Sequence, residues 1–129
     1  FKIHNLTEVM TFSASKILTG QYMSEMKIKS FVVFTDTGAT PRFLSRLRPE
    51  IPIIAITNNK QTRDQLCLSY GVIPFYHKFP QGKIRSTKYA LAFLKKKGFL
   101  NKGERVILIY GKQWGSPGGT NTIRVEEVR

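Results

Sequence analysis

Four short runs of β-branched and aromatic residues punctuate the chain: "SFVVF" at 30–34, "IPIIAIT" at 51–57, "VIPFY" at 72–76 and "ERVILIY" at 104–110. They are apolar at nearly every position rather than at alternate ones, which suits strands buried on both faces. Helical patterns separate them. "PRFLSRLR" follows the first and stops before Pro49, with Thr40 and Pro41 read as N-cap and first helical residue. "NNKQTRDQLCLSYG" puts Leu66, Cys67 and Tyr70 on one helical face and closes at Gly71. "IRSTKYALAFLKKKG" carries Ile84, Tyr89, Ala90, Ala92, Phe93 and Leu94 at apolar positions and closes at Gly98.

Strands alternating with helices predict a mostly parallel sheet with helices on both faces. A further helix precedes the first strand, over "NLTEVMTFSASKILTG" at 5–20, with Asn5 as N-cap, Gly20 as stop, and Leu6, Val9, Met10, Ala14, Ile17 and Leu18 near helical spacing. The last connection differs. "GKQWGSPGG" at 111–119 is too short for a crossover, which takes a dozen or more residues. "TNTIRVEEV" at 120–128 therefore returns antiparallel beside the fourth strand, with Ile123, Val125 and Val128 as its apolar positions. The 129 residues suffice for one α/β domain, residues 1–129, with a single core. "FKIHNLTEVM" has neither an initiator Met nor a signal layout, so the chain is expected to be cut from a longer one.

Composition narrows the classes. The apolar runs stop far short of the ~20 residues that cross a bilayer, so no membrane segment is expected. One cysteine, Cys67, excludes an internal disulfide framework and fits a reducing compartment, with the cytoplasm the simplest location. Cys67 itself, between Leu66 and Leu68, reads as a small apolar filler. Lys and Arg number 21 against 8 Asp and Glu, for a net charge of +13. Such a chain attracts anions. The basic residues are spread along it, however, and no zinc-finger spacing or aromatic RNA-binding motif organises them, so a solvated basic face or a phosphorylated small-molecule partner is preferred to nucleic acid.

Ligands of open α/β sheets gather outside the carboxyl ends of the strands, where the strand order reverses. A chain that starts at the middle strand, moves outward twice and crosses back makes the first and fourth strands neighbours. Their carboxyl-end loops are "TDTGAT" at 35–40 and "GKQWGSPGG". The first enters a helix, whose free N–H groups and dipole favour an anion. Thr35, Thr37 and Thr40 add hydroxyls, Gly38 lets the backbone come close, and Asp36 opposes an anion unless it turns away. On these residues alone, a structural cap and a phosphate site remain equally open. Other chemistry has little support: His4 and His77 lack zinc or iron spacing with the single cysteine, no serine lies on a nucleophile elbow, and no Walker or dinucleotide-binding glycine motif occurs. No catalytic residue and no metal ligand is assigned.

One resemblance joins these segments. "VVFTDTGATPRFLSRLRPEIPIIAITNNKQTRDQLCLSYGVIPF", "KKKGFLNKGERVILIYG" and "GGTNTIRV" together resemble the C-terminal domain of pyruvate kinase over almost the whole chain. The resemblance implies a three-layer α/β/α domain with sheet order 3-2-1-4-5 and an antiparallel last strand. It also implies that phosphoryl transfer from phosphoenolpyruvate to ADP, with its magnesium and potassium, belongs to a barrel domain outside this chain, and that no cofactor belongs to this domain. The domain's expected roles are contact with that barrel and with other subunits of a homotetramer, and binding of a phosphorylated sugar or nucleotide effector.

Carried over by residue, the effector site comprises the loop Thr35, Asp36, Thr37, Gly38, Ala39 and Thr40, then Arg85 beside Ser86, then Lys112, Trp114, Gly118, Gly119 and Thr120. Asp36 and Ala39 stand where animal-type members often carry basic residues, and Lys112, Gln113 and Trp114 replace the usual run in the last loop. A free-standing, non-catalytic domain that binds a small phosphorylated metabolite is the alternative.

Overall fold

The computed structural model describes residues 6–17, 27–77, 83–111 and 120–129. In chain order the elements are α1 (Leu6–Ile17), β1 (Ile28–Phe34), α2 (Ala39–Arg46), β2 (Ile53–Thr57), α3 (Lys60–Leu66), β3 (Val72–Tyr76), α4 (Lys83–Lys96), β4 (Arg105–Gly111) and β5 (Thr120–Glu127).

The five strands form one sheet of order β3-β2-β1-β4-β5. β1 pairs in parallel with β2 and β4, β2 pairs in parallel with β3, and β5 runs antiparallel to β4, with Ile109 opposite Ile123. This is the order that the resemblance implied, and the antiparallel direction of β5 is the one read from the short last connection. The central strand sets the two faces by simple alternation. Phe31 and Val33 point to one face with Ile53, Ile107 and Ile109, where Ala14 of α1 and Leu44 of α2 cover them. Val32 and Phe34 point to the other with Ile54, Ile56, Val106 and Leu108, beneath Ala90 and Leu94 of α4. Helix, sheet and helix therefore form three layers. Full burial of such side chains stabilises the fold by about 1.5–3 kcal/mol each.

Several local expectations are corrected. α2 starts at Ala39 with Gly38 as its N-cap, and Thr40 lies inside the first turn, buried. α3 is shorter than its sequence pattern and ends at Leu66. Cys67 and Tyr70 fall beyond that end and are exposed, so Cys67 is no core filler. On α4, Tyr89 is exposed and Ala90 and Leu94 carry the packing. Val9 of α1 is exposed also, whereas Thr11 and Ala14 are buried. The proposed N-cap Asn5, Leu18 and the stop at Gly20 lie outside the described residues.

Candidate functional site

β1 and β4 are parallel neighbours with Val33 opposite Ile109, so the segments that leave them start from the same end of the sheet. The β1–α2 turn is described in full. Thr35 continues the strand by donating its N–H to the Ile56 carbonyl (3.0 Å), and its buried hydroxyl oxygen accepts the Gly38 N–H (2.8 Å). That bond folds the chain back within three residues. Gly38 completes the turn at φ 85°, a left-handed conformation that costs an L-residue about 1–2 kcal/mol. The helix thus begins two residues earlier than Thr-Pro suggests. Pro41 sits in the first turn, where it has no N–H to satisfy.

A second reason fixes glycine at position 38. A Cβ there would lie 2.7 Å from Arg42 Nη1, 3.2 Å from Leu66 Cδ2 and 3.3 Å from Thr62 Cγ2. The Arg42 guanidinium thus occupies the space that the missing side chain leaves, above the helix N-terminus. From α3, the Thr62 hydroxyl donates to the Asp36 carbonyl (2.6 Å) and ties the turn to its neighbour.

The electrostatics of the turn are set by three groups. No side chain caps α2, and no acidic residue lies in its first turn. The Ala39 N–H has Thr37 Oγ1 at 3.4 Å, longer than an ordinary N–H···O bond, and Thr37 is exposed. Asp36 is half-buried; its Oδ1 is shielded from solvent without a hydrogen-bond partner, and burial pushes its carboxyl above the ordinary aspartate range.

The sequence-nominated residues thus fall into three groups. Thr35, Asp36, Thr37, Gly38, Ala39 and Thr40 form one turn at the carboxyl end of the sheet. Arg85 lies in the first turn of α4, and Thr120 begins β5 as the register partner of Gly111. Lys112, Trp114, Gly118 and Gly119 lie outside the described residues. Two further residues belong to the site and were missed from sequence. Arg42 could have been found, since position i+4 from the N-cap stands on the same helix face. Thr62 could not, because only tertiary packing brings α3 to Asp36. Among the described residues no three His, Cys, Asp or Glu side chains gather as a metal site, and no helix is long and apolar enough to cross a membrane. His77 packs edge-on against Phe93, with ring centroids 4.7 Å apart.

A doubly covered sheet of this order, with α2 starting beside the strand-order reversal, defines an α/β domain of the doubly wound kind. Residues 17–126 match the family described as "Pyruvate kinase, alpha/beta domain". The chain belongs to that family. It is 36% identical over 101 residues to pyruvate kinase of Dictyostelium discoideum, a match covering 78% of this chain and 20% of the relative. With plastidial pyruvate kinase 2 of Arabidopsis thaliana it shares 36% identity over 131 residues, covering 99% of this chain and 21% of the relative. Pyruvate kinase of Lactobacillus delbrueckii subsp. bulgaricus is 29% identical over 126 residues, 98% of this chain and 20% of the relative. The chain thus spans about a fifth of the length of these relatives.

Proposed function

We propose that the chain is the regulatory and subunit-assembly domain of a pyruvate kinase, and that its β1–α2 turn receives the phosphate of a sugar- or nucleotide-phosphate effector. In this reading the reaction, phosphoryl transfer from phosphoenolpyruvate to ADP, belongs to a barrel domain elsewhere in the protein, in a cytoplasmic homotetramer. This domain's contribution is contact with the barrel and with other subunits. An effector acts through it only as far as it binds two arrangements of the assembly with different affinity.

The observation that supports the effector reading is the uncapped start of α2: a glycine N-cap with no side-chain cap bond, beside the Arg42 guanidinium. A phosphate there accepts from the Ala39 N–H and the Thr37 hydroxyl while Arg42 supplies positive charge, a charge-assisted arrangement at a helix N-terminus. Arg85, Lys112 and Trp114, with Gly118, Gly119 and Thr120, are the proposed partners for the rest of the ligand.

Calorimetric titration of the chain with fructose bisphosphate, glucose phosphate, ribose phosphate and AMP tests the reading. At least one is expected to bind, and Thr37→Ala to weaken it about tenfold. Absence of binding by all four at millimolar concentration would return the turn to a purely structural role.

A further inference from the structure

Toward its C-terminal end, α2 carries a second cationic feature. Its outer side and the segment after α3 enclose a groove of about 450 Å³, within the range of small-molecule sites. Arg42, Ser45, Arg46 and Arg48 form one wall, and Ser69 and Tyr70 belong to the other. No carboxylate lines this groove, and among the described residues none of its three arginines is in an ion pair. Three unneutralised guanidinium groups around one concavity repel one another, and an oxyanion relieves that repulsion while accepting paired hydrogen bonds.

The walls are fixed to each other. The Ser45 hydroxyl donates to the Tyr70 carbonyl at 2.7 Å, and the Arg48 guanidinium carbon lies 4.3 Å from the centre of the Tyr70 ring. The stack holds the Arg48 fork in place before any ligand arrives, which lowers the entropy cost of binding. Beside it, Leu68 is 93% exposed and Tyr70 56% exposed, so the groove offers apolar and aromatic surface next to its cations.

We propose that this groove is an anion site distinct from the β1–α2 turn, and that it takes a phosphate monoester carrying a planar group, of the class of nucleoside monophosphates. The phosphate lies between Arg46 and Arg48, and the planar group lies against Leu68 and Tyr70. Arg42 borders both sites, with Nη1 beside Gly38 and its side chain in the groove wall. The groove does not depend on the turn's being an effector site, because Arg46, Arg48 and Tyr70 take no part in the turn.

The test is an amide chemical-shift titration of the chain with AMP at fixed ionic strength. Saturable shifts are expected at Ser45–Arg48 and Leu68–Tyr70. Arg46 is exposed, so Arg46→Gln should keep the remaining spectrum while weakening these shifts' apparent affinity about tenfold. Arg48→Lys should weaken it too, since an ammonium keeps the charge but lacks the fork and the stack. Thr37→Ala should leave the groove shifts unchanged, which separates this site from the turn. The proposal is overturned by any of four results: no saturation at about 10 mM AMP, shifts confined to Thr35–Thr40, groove shifts reproduced by potassium chloride at equal ionic strength, or unaltered affinity in Arg46→Gln.

Discussion

The turns after β1 and β2 leave the same end of the sheet from adjacent parallel strands, each passes a buried threonine, Thr35 or Thr57, and each enters a helix within a few residues. In both, the threonine hydroxyl oxygen accepts a backbone N–H of the turn, from Gly38 at 2.8 Å and from Asn59 at 3.2 Å. They part at the N-cap. Asn59 sits in extended conformation and its side-chain oxygen accepts the Gln61 and Thr62 N–H groups at 2.9 and 3.2 Å, so α3 is closed by its own sequence. Gly38 is left-handed and offers no side chain, and α2 begins without a cap bond. The positions equivalent to Gln61 and Thr62 are, on α2, Thr40 and Pro41, which has no N–H, and the Ala39 N–H meets the exposed Thr37 hydroxyl at 3.4 Å. The comparison separates a helix start closed by its own side chain from one that begins on a glycine without a side-chain cap bond.

The largest expected effect breaks the geometry that makes the two turns different. Gly38→Val places a β-branched side chain at φ 85° and against Arg42, Leu66 and Thr62, and should cost more than about 2 kcal/mol in urea unfolding. Asn59→Ala removes the closed cap of the other turn and should cost about 1 kcal/mol while leaving effector affinity at its original value. Thr37→Ala sharpens the contrast from the opposite side: stability should stay within about 0.5 kcal/mol, because among the described residues the exposed hydroxyl has the long contact to Ala39 alone, while phosphate binding should fall.

The smallest effect concerns Asp36 and pH. Burial raises its folded pKa above the unfolded one, so the folded chain holds this proton more tightly than the unfolded chain does. Its charged form therefore opposes folding above the raised pKa, and the opposition is relieved as pH falls through it. Asp36→Asn should show its greatest stability relative to the original chain near neutrality, with the difference shrinking in acid. The residue keeps part of its solvent exposure, which keeps the effect small. Parallel unfolding curves at neutral and acidic pH check the sign.

The strands and the antiparallel return of the last one were legible because buried parallel strands are apolar at every position and because residues 111–119 are too few for a crossover, whereas the full strand order came from the family resemblance. The turn's own position was legible from its threonines and glycine at a strand end. Its cap was misread. Thr-Pro is a sound local signal, but the Thr35 hydroxyl captures the Gly38 N–H and starts the helix sooner, a choice made by a bond across three residues rather than by propensity. Tyr70 and Cys67 were misassigned to a buried face because their helical spacing continues past the point where α3 ends. Thr62 was invisible, since nothing in the spacing of α3 shows that its hydroxyl meets the carbonyl of Asp36. Helical periodicity reports what a segment can bury; which end of a helix stays open is decided by contacts between segments.

The central proposal is that a phosphate binds at the turn after β1 and not at the turn after β2. An amide chemical-shift titration of the chain with fructose bisphosphate measures both turns at once. The account predicts saturable shifts at Thr37–Thr40 that weaken about tenfold in Thr37→Ala, with Asn59–Thr62 nearly still. Shifts of equal size at the two turns, or none at Thr37–Thr40 with any of the four phosphates, would contradict it.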